Sequence, residues 1–354
     1  LAGKAYGVPV YQLLGGRFRE KVRLYADTHI EEGRATGILM EPEKVGRILK
    51  GYMDQGFTVV KILSVELLMA QEGNTCGPLD WVDELRAVEE KVRQVTRTGT
   101  RAESSAANAL LYDFNRIPHP FTNMHVTEQG LDQLDEYIGR VRSVIGTKVP
   151  LAIDHFGHFP LPDMIKIARR LEKYHLAWLE DMLPWYLTDQ YRELKHATTA
   201  PIATGEDMYL AESFEPLLQA GALDVVHPDL LTSGGILETK KLGDLAARYG
   251  ASMALHMCES PVSALAGAHM ATASENFFAQ EHDAFDSEWW QDLIIGPVKP
   301  IVKDGFTVIT DAPGLGIEGL NEDLIREHGP MKGKDVWVST DEWNQETSLD
   351  RIWS

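Results

Sequence analysis

The chain has 354 residues, 44% of them hydrophobic, and a formal net charge of −19. That charge excludes nucleic acid or an anionic membrane held by simple electrostatics, but not an anionic small molecule met by a cation and local Lys or Arg. No apolar stretch reaches the ~18–20 residues of a membrane span. The two cysteines, Cys76 and Cys258, give no disulfide framework. They fit a reducing cytoplasm, although a single bridge stays open.

The first residues, LAGKAYGVPVYQLLGG, carry neither an initiator Met nor a signal-peptide pattern, so the chain is read as a fragment or as lacking its beginning. Strand-like runs then follow at VRLYAD (22–27) and TVVKIL (58–63), the second carrying Lys61 near its end. Residues 64–127 are long, polar and irregular, with one helix expected over 80–96 and the rest a candidate active-site loop or lid. The rhythm resumes with PLAID (150–154), AWLED (177–181), PIATGE (201–206), DVVHPD (224–229), SMALH (252–256) and FFAQEH (277–282). Between them, 162–175 places Ile165, Ile167, Ala168 and Leu171 at helical spacing, and 236–250 does so with Leu237, Leu242, Leu245 and Ala246, stopping at Gly250. After 297 the pattern changes, and Asp304-Gly305 reads as a hairpin turn between two strands. Eight strand–helix alternations argue for a parallel sheet closed as a (β/α)8 TIM-like barrel; an open doubly wound sheet is the alternative. No GxGxxG follows an early strand, so a dinucleotide site has no support.

Asp154, Glu180 and Glu206 are spaced 26 residues apart, each at the end of a strand-like run. One acid after a strand is commonly the N-cap of the next helix. Three at equal intervals, at the face where barrel active sites collect, fit a hard-cation site for Mg²⁺, which removes the repulsion between packed carboxylates. Asp181 and Asp207 follow two of these acids directly, and by strand alternation they should point elsewhere. Asp229 and His256 end the next two strands and suit a dyad in which the carboxylate orients the imidazole and raises its basicity. Glu281 ends the eighth strand, as a hydrogen-bonding partner of substrate or as a loop cap. Lys61 is a candidate base or electrostatic stabiliser. His155 and His158, in DHFGH, are candidate proton donors to a leaving hydroxide, with metal ligation or a structural role as alternatives.

These residues resemble the mandelate racemase/muconate lactonizing enzyme branch of the enolase superfamily. The ordered matches are GKAYGVPVYQLLGG (3–16), GFTVVK (56–61), LAID, LED, TGED, HPD with SGGI, ALH, AQEH and DAPGLGIE (311–318). The resemblance implies a segment entering the barrel at 1–21, a catalytic barrel over 22–296 with an insertion at 64–127, and a C-terminal strand appendage at 297–354. The family's N-terminal capping domain is read as absent from this chain. It further implies Mg²⁺ on Asp154, Glu180 and Glu206, the Asp229–His256 dyad, proton abstraction next to a carboxylate through a metal-stabilised enediolate, and a symmetric homo-oligomer. Two departures stand out. The Lys-x-Lys of many relatives is Lys61-Ile62-Leu63 here, and the EEP often seen at the second ligand is LEDML. The expected function is a Mg²⁺-dependent lyase dehydrating an aldonate- or aldarate-type sugar acid, with His256 as base and His155 or His158 as acid. The rivals are an epimerase or cycloisomerase using Lys61 and His256, and a non-catalytic, carboxylate-binding, metal-stabilised barrel.

Overall fold

Strands form where β-branched and apolar residues run together, and each of the eight expected runs carries one. The computed structural model describes residues 1–28, 40–62, 71–76, 87, 90–91, 94–95, 125–154, 159–296 and 298–328. In chain order the strands are β1 (Lys21–Ala26), β2 (Val60–Ile62), β3 (Thr75–Cys76), β4 (His125–Val126), β5 (Leu151–Ile153), β6 (Leu179–Glu180) and β7 (Ile202–Thr204). They continue as β8 (Val225–Val226), β9 (Ser252–Leu255), β10 (Phe277–His282), β11 (Ile294–Ile295), β12 (Phe306–Val308) and β13 (Gly319–Leu320). Hydrogen bonding sets the order β1-β2-β5-β6-β7-β8-β9-β10, and β10 pairs back onto β1 in parallel from Leu24↔Gln280 to Ala26↔His282. Eight parallel strands joined to their own start make the α/β fold a (β/α)8 barrel, because an open doubly wound sheet would leave β1 and β10 as edges.

By contact, the chain divides into two compact units. The first comprises Leu1–His29, Gly51–Lys61 and Ala203–Ser339. In it, β8 and β9 pair in parallel (Val225↔Ser252), as do β9 and β10 (Gln280↔Leu255). The helix Ile236–Arg248 buries Thr239, Leu242, Gly243 and Ala246. The apolar stripe is therefore rotated from the expected one, and Leu237 stands 61% exposed on the other side. Met257 and Leu265, which follow β9, join Trp290, Ile294, Val298 and Ile301 from beyond β10 in a common apolar cluster.

Strand β12 enters this unit through a tight turn. Asp304 and Gly305 have φ of 52° and 73°, and Lys303 and Phe306 exchange backbone bonds of 2.8 and 3.0 Å. That matches the primed turn which Asp-Gly favours. A Cβ on Gly305 would lie 2.3 Å from the Gly56 carbonyl oxygen, so the position requires glycine. The expected hairpin differs in its pairing: the residue before the turn forms a single bridge, and β12 runs antiparallel to β1 from Lys21↔Val308 to Arg23↔Phe306.

The second unit comprises Ile30–Lys50, Ile62–Ile202 and Thr340–Ser354. Strands β5 and β6 pair in parallel, Ile153 opposite Leu179. The helix Glu128–Ile145 is capped by Thr127, whose side chain accepts the Gly130 N–H at 3.0 Å. The helix expected over 162–175 is α-helical from Leu161 to Leu171, then tightens into a 3₁₀ turn. Its buried stripe is Met164, Ile167, Ala168 and Leu171, with Ile165 only half-buried. In the 64–127 region, β3 and β4 pair antiparallel and bring residues 76 and 125 side by side. The described residues within 80–96, namely Ala87, Glu90, Lys91, Gln94 and Val95, are helical. Among the described residues no helix is long and apolar enough to cross a membrane.

Candidate active site

In the second unit, parallel pairing of Ile153 with Leu179 carries the next residues, Asp154 and Glu180, to the same level. Both are sequestered, at 1% and 0% exposure. Trp178, just ahead of β6, reaches Glu180: its Nε1–H donates to Glu180 Oε2 at 2.6 Å. Asp181 departs from expectation. Its φ is 48°, so strand alternation stops at Glu180. Asp154, Glu180 and Asp181 each bring a carboxylate oxygen within 4.8 Å of the others. Buried anions this close repel, and an all-oxygen donor set is what a hard divalent ion takes. The residues thus fit a divalent cation.

The first unit holds Lys61, Glu206, Asp229, His256 and Glu281. Lys61 Nζ sits 2.9 Å from Glu281 Oε1, with both side chains 1% exposed. Lys61 also lies over the Tyr25 ring at 5.6 Å, and the Tyr25 hydroxyl is hydrogen-bonded to His227 Nε2 at 2.8 Å. Glu281 Oε2 accepts the Met257 N–H at 3.1 Å. Burial pushes the Glu281 carboxyl up, but Lys61, His256 and His227 outweigh it and hold the group at about 2.

The residues following β8 and β9 continue the parallel pairing as a bridge between Asp229 and His256. His256 Nδ1–H donates to Asp229 Oδ2 at 2.7 Å. The other imidazole nitrogen, Nε2, faces Glu206 Oε2 at 3.5 Å and Glu281 Oε2 at 3.7 Å. Asp229 Oδ1 meanwhile accepts the backbone N–H groups of Leu231 and Thr232, at 2.6 and 3.3 Å. The carboxylate is thus pinned by a turn on one oxygen and orients the imidazole with the other. Burial lowers the His256 pKa, yet Glu206, Glu281 and Asp229 together raise it well above the ordinary value. Glu206 follows Gly205, whose φ is 141°; a Cβ there would lie 2.4 Å from Phe214 Cε1. Only glycine allows the chain to leave β7 on this path.

Three groups here escaped the sequence reading. His227 is two residues before Asp229, and that spacing was the available signal. Tyr25 had none beyond its place in β1. Glu259 follows His256 by three and is hydrogen-bonded to Asp229. Its carboxyl is pushed up to about 8 by burial and by the Asp229 charge. His155 and His158 fall outside the described residues, as does Leu63.

Residues 119–324 match the family model described as enolase C-terminal domain-like. The chain belongs to that family. Within the enolase superfamily it falls in the mandelate racemase/muconate lactonizing enzyme branch. The crystal structure of such a protein from Rubrobacter xylanophilus superimposes with a TM-score of 0.71 at 29% identity, over 93% of this chain and 73% of that one. By sequence, this family member is 29% identical to the D-xylonate dehydratase of Haloferax volcanii over 93% of its own length. It is 25% identical to the D-gluconate/D-galactonate dehydratase of Picrophilus torridus over 92%. The chain spans 66% and 68% of the length of these two relatives.

Proposed function

We propose that this family member is a divalent-cation-dependent lyase that dehydrates a sugar acid. The observation that carries the reading is His256: Asp229 holds one ring nitrogen at 2.7 Å, and the other is turned toward the strand-end carboxylates. An imidazole so oriented is a general base. Relatives named for D-xylonate, D-gluconate and D-galactonate dehydration support the reaction class.

Asp154, Glu180 and Glu206 would hold the cation, Mg²⁺ by the chemistry of an all-oxygen set. Bound there, it would supply the positive charge that offsets both the Glu206 pull on His256 and the charge developing on the substrate carboxylate. The chain's own groups then act in order. His256 Nε2 takes the hydrogen from the carbon next to the carboxylate, and Asp229 steadies the imidazolium. The buried Lys61 ammonium, held by Glu281, adds fixed positive potential. His155 or His158, which follow Asp154 closely in sequence, gives a proton to the β-hydroxyl as its C–O bond breaks. Water leaves, and the enol left behind tautomerises to a 2-keto-3-deoxy acid.

Epimerisation would need Lys61 to exchange a proton with the substrate, and its buried 2.9 Å contact with Glu281 ties that side chain to another partner. The direct test is a panel of aldonates and aldarates incubated with the protein and Mg²⁺, followed by detection of 2-keto acid as its semicarbazone. At least one member should yield keto acid, and chelation should stop it. No product from any member, with no solvent exchange at the α-carbon, would favour a non-catalytic barrel.

A further inference from the structure

The loop after β9 carries two donors that the dehydration scheme does not use, Cys258 and Glu259, close to the His256 that it does. His256, Cys258 and Glu259 each offer one ligand atom, and these atoms lie within 4.8 Å of one another. They comprise an imidazole nitrogen, a thiol sulfur and a carboxylate oxygen. Asp229 adds a fourth group, hydrogen-bonded to both His256 and Glu259. The loop is anchored on both sides of Cys258. Met257 N–H donates to Glu281, the Glu259 carbonyl accepts from Trp290 Nε1 at 2.8 Å, and Glu259 Oε2 accepts from Ser263 Oγ at 3.2 Å. Cys258 is exposed, so an ion from solvent can reach it.

We infer that His256, Cys258 and Glu259, with Asp229 beside them, form a second cation site, selective for borderline and soft divalent ions such as Zn²⁺ over Mg²⁺. The selectivity follows from the donors. Sulfur and imidazole with one or two carboxylate oxygens match the tetrahedral preference of Zn²⁺, whereas Mg²⁺ takes oxygen in octahedral geometry. An ion on this site would occupy the imidazole. Trace Zn²⁺ would therefore silence a base that Mg²⁺ leaves free; this consequence, unlike the site itself, rests on the proposed function.

Cd²⁺ tests the site without relying on turnover, because a thiolate–Cd²⁺ bond produces ultraviolet charge-transfer absorption. The whole chain, saturated with Mg²⁺, should develop that band with one equivalent of Cd²⁺. Cys76→Ser, which alters the other cysteine, should keep the band, and Cys258→Ser should abolish it. Zn²⁺ should displace Cd²⁺, and Glu259→Gln should weaken the binding about tenfold or more. A band that survives in Cys258→Ser, or no band at all, would overturn the site. Failure of the sugar-acid panel would leave the band untouched, so the two proposals fail separately.

Discussion

His256→Asn should abolish most of the keto-acid formation, lowering kcat by about 10³-fold or more while changing KM little. Asparagine keeps a polar group near the position of Nδ1, so Asp229 retains a hydrogen-bonding partner and the turn it pins at Leu231 and Thr232 should persist. What disappears is Nε2, the nitrogen facing Glu206 and Glu281. The loss therefore reports on proton transfer rather than folding. A steady-state comparison, with circular dichroism to confirm the fold, checks it. Full turnover in the variant would remove the dyad from any mechanism.

Lys61→Met should cost about 3–5 kcal/mol of stability at neutral pH, because it leaves the Glu281 carboxylate buried at 1% exposure without its 2.9 Å partner. The sign with pH follows from Glu281, whose folded value of about 2 lies below its ordinary 4.5. In the parent protein the stabilisation is fully present above about 4.5 and is lost as pH falls toward about 2. The variant's deficit should accordingly shrink in acid, once Glu281 can take a proton. Adding Glu281→Leu to Lys61→Met should recover much of the loss, since both charges are then gone. Urea unfolding of the parent, Lys61→Met and the double variant across pH measures this directly. A single variant as stable as the parent would show that Glu281 is not committed to Lys61.

The barrel was legible because its strands are short apolar runs, and seven of them end at or near a residue with chemistry in it: Lys61, Asp154, Glu180, Glu206, Asp229, His256 and Glu281. Position along a strand was enough to place Asp229 beside His256, because the bridge between them only continues the pairing of Val226 with Met253. Alternation failed where the strand ends. Asp181 was assigned away from its neighbours, but a left-handed φ brings its carboxylate beside those of Asp154 and Glu180. Glu259 was invisible for a related reason. In sequence it is one acid before Ser-Pro at a helix start, and only the folded loop brings it to Asp229. Helical phase was legible to within one residue: Met164 takes the buried place expected of Ile165, while Leu237 lies outside the stripe altogether.

The most direct test of the proposed dehydration is turnover of an active sugar acid in D₂O. Proton abstraction by His256 followed by loss of the β-hydroxyl places one deuterium at C3 of the 2-keto-3-deoxy product and none at C2 of the recovered substrate. Deuterium at C2 of the recovered acid, with no keto acid formed, would contradict dehydration and point to an epimerase.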